Sequence, residues 1–112
     1  MADVTPRKVN LREATRARGE YLRLLARGDN VAMRIWYNEK PEDKTSTMHS
    51  HGYETVGYVI EGRARLHFDD ESILLEPGDS WHVPSDAEHC YEILEEFTAI
   101  EATSPPSHEH SG

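Results

Sequence analysis

A chain of 112 residues, 37% apolar and 29% charged, suits one small domain whose core has few residues to spare. Its net charge of −9 repels a phosphate backbone and an anionic bilayer, which argues against nucleic acid and membrane as partners. Cys90 is the only cysteine, so no internal disulfide forms; with neither an apolar leader nor a run of roughly 20 apolar residues, the expected location is the cytoplasm.

Residues 1–19 read as an N-terminal extension with one helical turn inside "LREATRARG", Leu11 to Gly19. From Glu20 the pattern turns β-like. "EYLRLLARGDNVAMRIWYNE" holds two apolar runs around "RGDN", Arg27 to Asn30, which reads as a hairpin. On its second strand, period-two alternation puts Met33, Ile35 and Tyr37 on one face, expected to line the interior, and Arg34 and Trp36 on the other. "KPEDKTST", Lys40 to Thr47, is a polar loop.

"ETVGYVIEGRARLHFDDESILLEPGD" gives further strands, with turns expected at Glu61-Gly62, Asp69-Asp70 and Pro77-Gly78. Ala64, Leu66 and Phe68 alternate with Arg63, Arg65 and His67, as on a strand with one wet face. "SWHVPSDAEHCYEILEEFTAIEAT" supplies two or three more strands. Turn signals at this spacing point to an all-β sandwich or barrel over residues 20–104. Residues 105–112 form a polar tail in which His108 and His110 are solvated.

The chemistry concentrates in "HSHGYETVGYVIEG", His49 to Gly62. Residues two apart on a strand project from the same face, roughly 7 Å apart. Two imidazoles placed so can converge on one ion, since metal–nitrogen bonds are about 2 Å. A two-histidine site is weak, and the candidate third ligand is His89. It follows a Pro-Gly turn, an apolar strand and the strand-ending Pro84 in "EPGDSWHVPSDAEH". Imidazole donors suit divalent Fe, Mn, Ni, Zn or Cu without choosing among them.

These two stretches resemble the two motifs of the cupins, small jelly-roll β-barrels. The first cupin motif pairs two histidines one residue apart with an acid and a strand closing on glycine. The second runs from glycine through a strand to proline and histidine, here "GDSWHVPSDAEH". The resemblance spans roughly Glu20 to Thr103 and implies a single jelly-roll barrel with a metal held by His49, His51 and His89. Two positions depart from it. The family's glutamate ligand falls on Thr55, with Glu54 one residue early and so facing the other way on a regular strand. Three readings stay open: a three-histidine site, a kink at Gly52 that lets Glu54 reach the ion, or a site that binds metal poorly. Asp86 stands where the motif has glycine, a turn position that aspartate tolerates.

Three neutral imidazoles leave an ion's double charge uncompensated, which favours a small polar or anionic substrate. The expected activity is that of a metal-dependent enzyme, with dioxygenase-type oxidative cleavage ahead of isomerase or lyase chemistry. The alternatives are a non-catalytic binding or sensor protein and zinc-hydroxide hydrolysis. Tyr91 and Ile93 share a face with His89 on a regular strand. Tyr91 is thus the candidate to orient a substrate or donate a proton, and Glu54 the second candidate catalytic group. Cys90 points away, and His67 and His82 read as structural. Small size and an extended N-terminal segment imply a homodimer.

Overall fold

The computed structural model describes residues 4–16, 22–41 and 48–106. Seven strands occur among them: β1 Thr15–Arg16, β2 Leu22–Arg27, β3 Ala32–Glu39, β4 Glu54–Phe68, β5 Glu71–Leu75, β6 Ser80–Val83 and β7 Cys90–Ser104. All pairings are antiparallel, in the order β1-β2-β3-β7-β4-β5, with β6 on β4. The expected β architecture is met. The expected helical turn is a single 3-10 turn at Leu11–Glu13, capped by the Asn10 side chain accepting from the Arg12 N–H at 3.0 Å. Strand β1 lies in the segment read as an extension and pairs with β2. The polar loop at residues 42–47 and the histidines of the tail lie outside the described residues.

The hairpin around Arg27–Asn30 forms as expected, with Leu22 opposite Trp36. Asp69-Asp70 is a two-residue hairpin loop, its strands closing at Phe68 opposite Glu71. Pro77-Gly78 turns the chain, the Asp79 N–H donating to the Glu76 carbonyl at 2.9 Å. Glu61-Gly62 is different. The chain does not reverse there; β4 runs straight through, and the register against β7 shifts on both sides of Glu61 and again after Arg63. Gly62 sits at φ +81°, and a Cβ there would collide with the Glu96 carbonyl. The acid–glycine pair is therefore a bulge.

That bulge divides the two long strands between two halves of one seven-stranded sheet. Residues 54–61 of β4 pair with β6 and with residues 98–104 of β7, which continues to β3; residues 63–68 of β4 pair with β5 and the start of β7. Between the halves lies one core in which Leu66 and Leu75 meet Trp36, Val59, Trp81 and Phe97. Ala64 and Leu66 point into it, as their alternation implies.

Strand β3 inverts the expected facing. Met33 is 42% exposed, whereas Arg34 is 6% exposed and Trp36 is buried. Met33 and Tyr37 therefore do not line the interior, and Ile35 is covered without joining the core cluster. The reason is a charge partner. Glu101 on β7, opposite Arg34 and 1% exposed, accepts from Arg34 Nε at 2.9 Å and from Trp36 Nε1 at 2.7 Å. A buried charge needs such a counter-charge with its hydrogen bonds made.

Candidate metal centre

His49 and His89 lie in segments far apart in sequence. An isolated antiparallel bridge joins them, each backbone N–H donating to the other's carbonyl at 2.9 Å. His51 is tied in by its own carbonyl, which accepts from the Asp86 N–H at 2.7 Å. Asp86 makes that bond from the left-handed region, φ +67°, so aspartate fills the turn as expected. Proline ends β6 at position 84, and the Ala87 N–H donates back to its carbonyl at 3.2 Å, closing the turn that delivers His89.

These joins bring three imidazoles together. Their ligand atoms all lie within 4.8 Å of one another. Ring centroids are 4.7 Å apart for His49–His51 and His49–His89, and 5.9 Å for His51–His89. His89 Nδ1 lies 2.8 Å from the Ala87 carbonyl, to which it donates, leaving Nε2 as the lone-pair donor. His51 is stacked on Tyr53 with centroids 4.6 Å apart and planes 5° from parallel.

Electrostatics favour the ligating form. Burial, then the neighbouring His49 and His89, pushes the His51 imidazole down to about 4. Burial chiefly, and then His49, also holds His89 below the ordinary histidine range, against the opposing pull of its Ala87 bond. Neutral imidazole is what a divalent ion binds. The donor set and its spacing fit one divalent transition ion, as do the lowered basicities of His51 and His89.

The other expected site residues divide. Tyr91 is brought to the cluster, its ring 5.5 Å from that of His89. Its oxygen accepts from Trp81 Nε1 at 3.1 Å. Burial, aided by Glu101, raises its phenol well above the usual tyrosine range, so it remains protonated. Glu54 is not brought to the cluster. Its carboxylate meets His82 at 2.9 Å on the outer surface, where both side chains are at least half exposed. Of the two residues, Thr55 is the one that faces inward and is buried. Gly52 does not redirect the acid inward, so the reading in which Glu54 completes the site is corrected. His67 likewise pairs outside, with Glu92 at 2.9 Å. Cys90 is buried, across the ladder from His67.

Sequence reading missed Arg34, Tyr53 and Glu101. Arg34 shares its strand parity with the apolar Trp36, and that was the available signal.

A family model described as a cupin domain matches residues 36–101. Quercetin 2,3-dioxygenase of Bacillus subtilis is 33% identical over 64 residues, covering 56% of this chain and 19% of that enzyme. The chain thus spans about a fifth of the length of that curated relative. Among solved structures, KdgF from Halomonas sp. superposes with a TM-score of 0.65 at 22% identity, over 76% of this chain and 81% of that one. An RmlC-like cupin protein from Desulfovibrio desulfuricans gives 0.67 at 20% identity, over 92% and 100%. At these identities the structural likeness is one of fold.

Proposed function

This chain belongs to the cupin family, and we propose that it is a metal-dependent enzyme acting on a small polar or anionic metabolite, with oxidative cleavage as its reaction. The observation that carries this reading is the convergence of His49, His51 and His89 donor atoms within 4.8 Å. When bound, a divalent ion there supplies Lewis acidity and, if redox-active, a route for electrons to dioxygen. The residues of this chain do the rest. The three imidazoles hold the ion without adding negative charge, so the centre attracts an anionic group. Tyr91 presents a protonated phenol beside His89 and can orient an oxygen of the substrate or give it a proton. Tyr91 in turn packs edge to face on the buried rings of Trp36 and Trp81.

The likeness to a quercetin dioxygenase supports oxidation over isomerisation. Iron-loaded protein is expected to consume oxygen with a phenolic or diketone probe. Turnover without oxygen would replace this reading with an isomerase or lyase. A ligand that raises the melting temperature and is recovered unchanged would replace it with a binding protein.

We further propose that the protein works as a homodimer through the outer face of β4, β7 and β3. Residues 63–68 of β4 alternate charged and apolar, but residues 54–60 do not: Val56, Tyr58 and Ile60 face outward and are about half exposed. Cross-strand rows extend the patch, Tyr58 beside Ile100 beside Ile35, and Val56 beside Ala102 beside Met33. A strand apolar on both faces is one covered on both faces. The outward residues of β6 are Ser80 and His82, so the apolar face lies on β4, β7 and β3, where Val56, Tyr58, Ile60, Met33 and Tyr37 are exposed. The segments outside the described residues are mostly polar, so a second copy, with the same apolar face, is the fitting cover.

A further inference from the structure

One of the three clustered imidazoles is oriented by the backbone: His89 donates Nδ1–H to the Ala87 carbonyl at 2.8 Å. His51 is different. Among the described residues its imidazole makes no side-chain hydrogen bond; its plane is set by the parallel ring of Tyr53. What holds Tyr53 therefore holds His51.

Tyr53 is buried, and the guanidinium of Arg34 lies over its ring, 5.3 Å from the centroid. Arg34 is itself locked. Its Nε donates to Glu101 Oε1 at 2.9 Å, and the other oxygen of Glu101 is taken by Trp36 Nε1 at 2.7 Å. Tyr53, Arg34, Glu101 and Trp36 are all buried. This chain of contacts begins on β3 and β7, in the rigid centre of the sheet, and ends on the face of an imidazole. Replacing such an ion pair with apolar residues of similar volume often costs no stability, so stability alone gives no reason to keep it. Ligand-orienting partners behind a metal-binding side chain commonly matter for affinity.

We propose that Arg34, acting through Tyr53, is the positioning residue that fixes the ring of His51 for metal binding, with Glu101 and Trp36 anchoring it. This rests on the three-histidine reading of the site. It deepens that reading by supplying the orienting partner that no hydrogen bond from the described residues provides.

Cobalt(II) titration of chelator-stripped protein tests it, followed by the visible ligand-field bands. Tyr53→Leu removes the aromatic ring that packs on both His51 and Arg34. Arg34→Lys keeps the charge and removes the fork. Tyr53→Leu is expected to weaken cobalt binding about tenfold to a hundredfold and to shift the bands, and Tyr53→Phe, which keeps the ring, to restore both. Arg34→Lys is expected to fall between Tyr53→Leu and the parent. A purely structural role would lower the melting temperature and leave the bands of the folded protein unchanged, which overturns the proposal. So would parent-like affinity and bands in both Tyr53→Leu and Arg34→Lys. If the parent protein binds no cobalt at all, the three-histidine reading fails instead, and this inference falls with it.

Discussion

His49 and His89 exchange both backbone hydrogen bonds, at 2.9 Å each, across an isolated bridge between two otherwise separate segments. The bridge fixes the distance between two donor groups before any ion binds. Preorganisation of this kind means that stripping the metal should leave the sheet intact. Far-UV circular dichroism of chelated protein is expected to match that of metal-loaded protein, while the melting temperature drops. Loss of the β signal on chelation would show that the ion builds the site.

Gly57 lies on β4 against the ring of Trp81, so close that any Cβ there would collide with it. Trp81 is also the donor to Tyr91. Gly57→Ala should push the indole aside, costing roughly 1–3 kcal/mol of stability from overpacking, and should break the Trp81–Tyr91 bond. Thermal melts and tryptophan fluorescence read both effects together.

Arg34 and Glu101 are a buried pair. Arg34→Met alone strands a buried carboxylate, and breaking such pairs costs about 3–5 kcal/mol. Joining it with Glu101→Leu is expected to recover much of that loss. Chemical denaturation of the single and double variants measures the difference.

Acid should destabilise the metal-free protein. The unfolded chain protonates the residue-51 imidazole near 6.5, the folded chain only near about 4, and His89 shifts in the same direction. Between those values the unfolded state binds more protons, so stability falls as the pH falls. The melting temperature of chelated protein is expected to drop from pH 7 to pH 4.5. The drop should shrink in His51→Gln.

Tyr58 stands near the middle of the apolar outer face. Light scattering is expected to give a dimer at micromolar concentration and a monomer for Tyr58→Lys, with metal content unchanged. A monomeric parent protein, or a dimer indifferent to the substitution, would contradict the interface.

Much of this architecture was legible in the residues. The Arg63–Phe68 alternation faces as read, and spacing and resemblance single out the three histidines that converge. The errors share one cause: local rules that tertiary partners override. Hydropathy sent Arg34 outward because a lone arginine in a strand is normally solvated, and nothing nearby in sequence announces Glu101, its partner on β7. The Glu61-Gly62 pair carries a turn signature, yet the positive φ of glycine serves equally for a bulge when the strand partner continues. Glu54, read as a second candidate catalytic group, instead faces outward as its parity implies, and its partner His82 comes from β6, a pairing that local pattern does not specify.

The most direct test is elemental analysis of untagged protein, comparing the parent chain with His51→Ala. The parent is expected to carry close to one transition-metal ion per chain, and the variant to lose most of it while staying folded. Equal metal content in the two would contradict the three-imidazole centre.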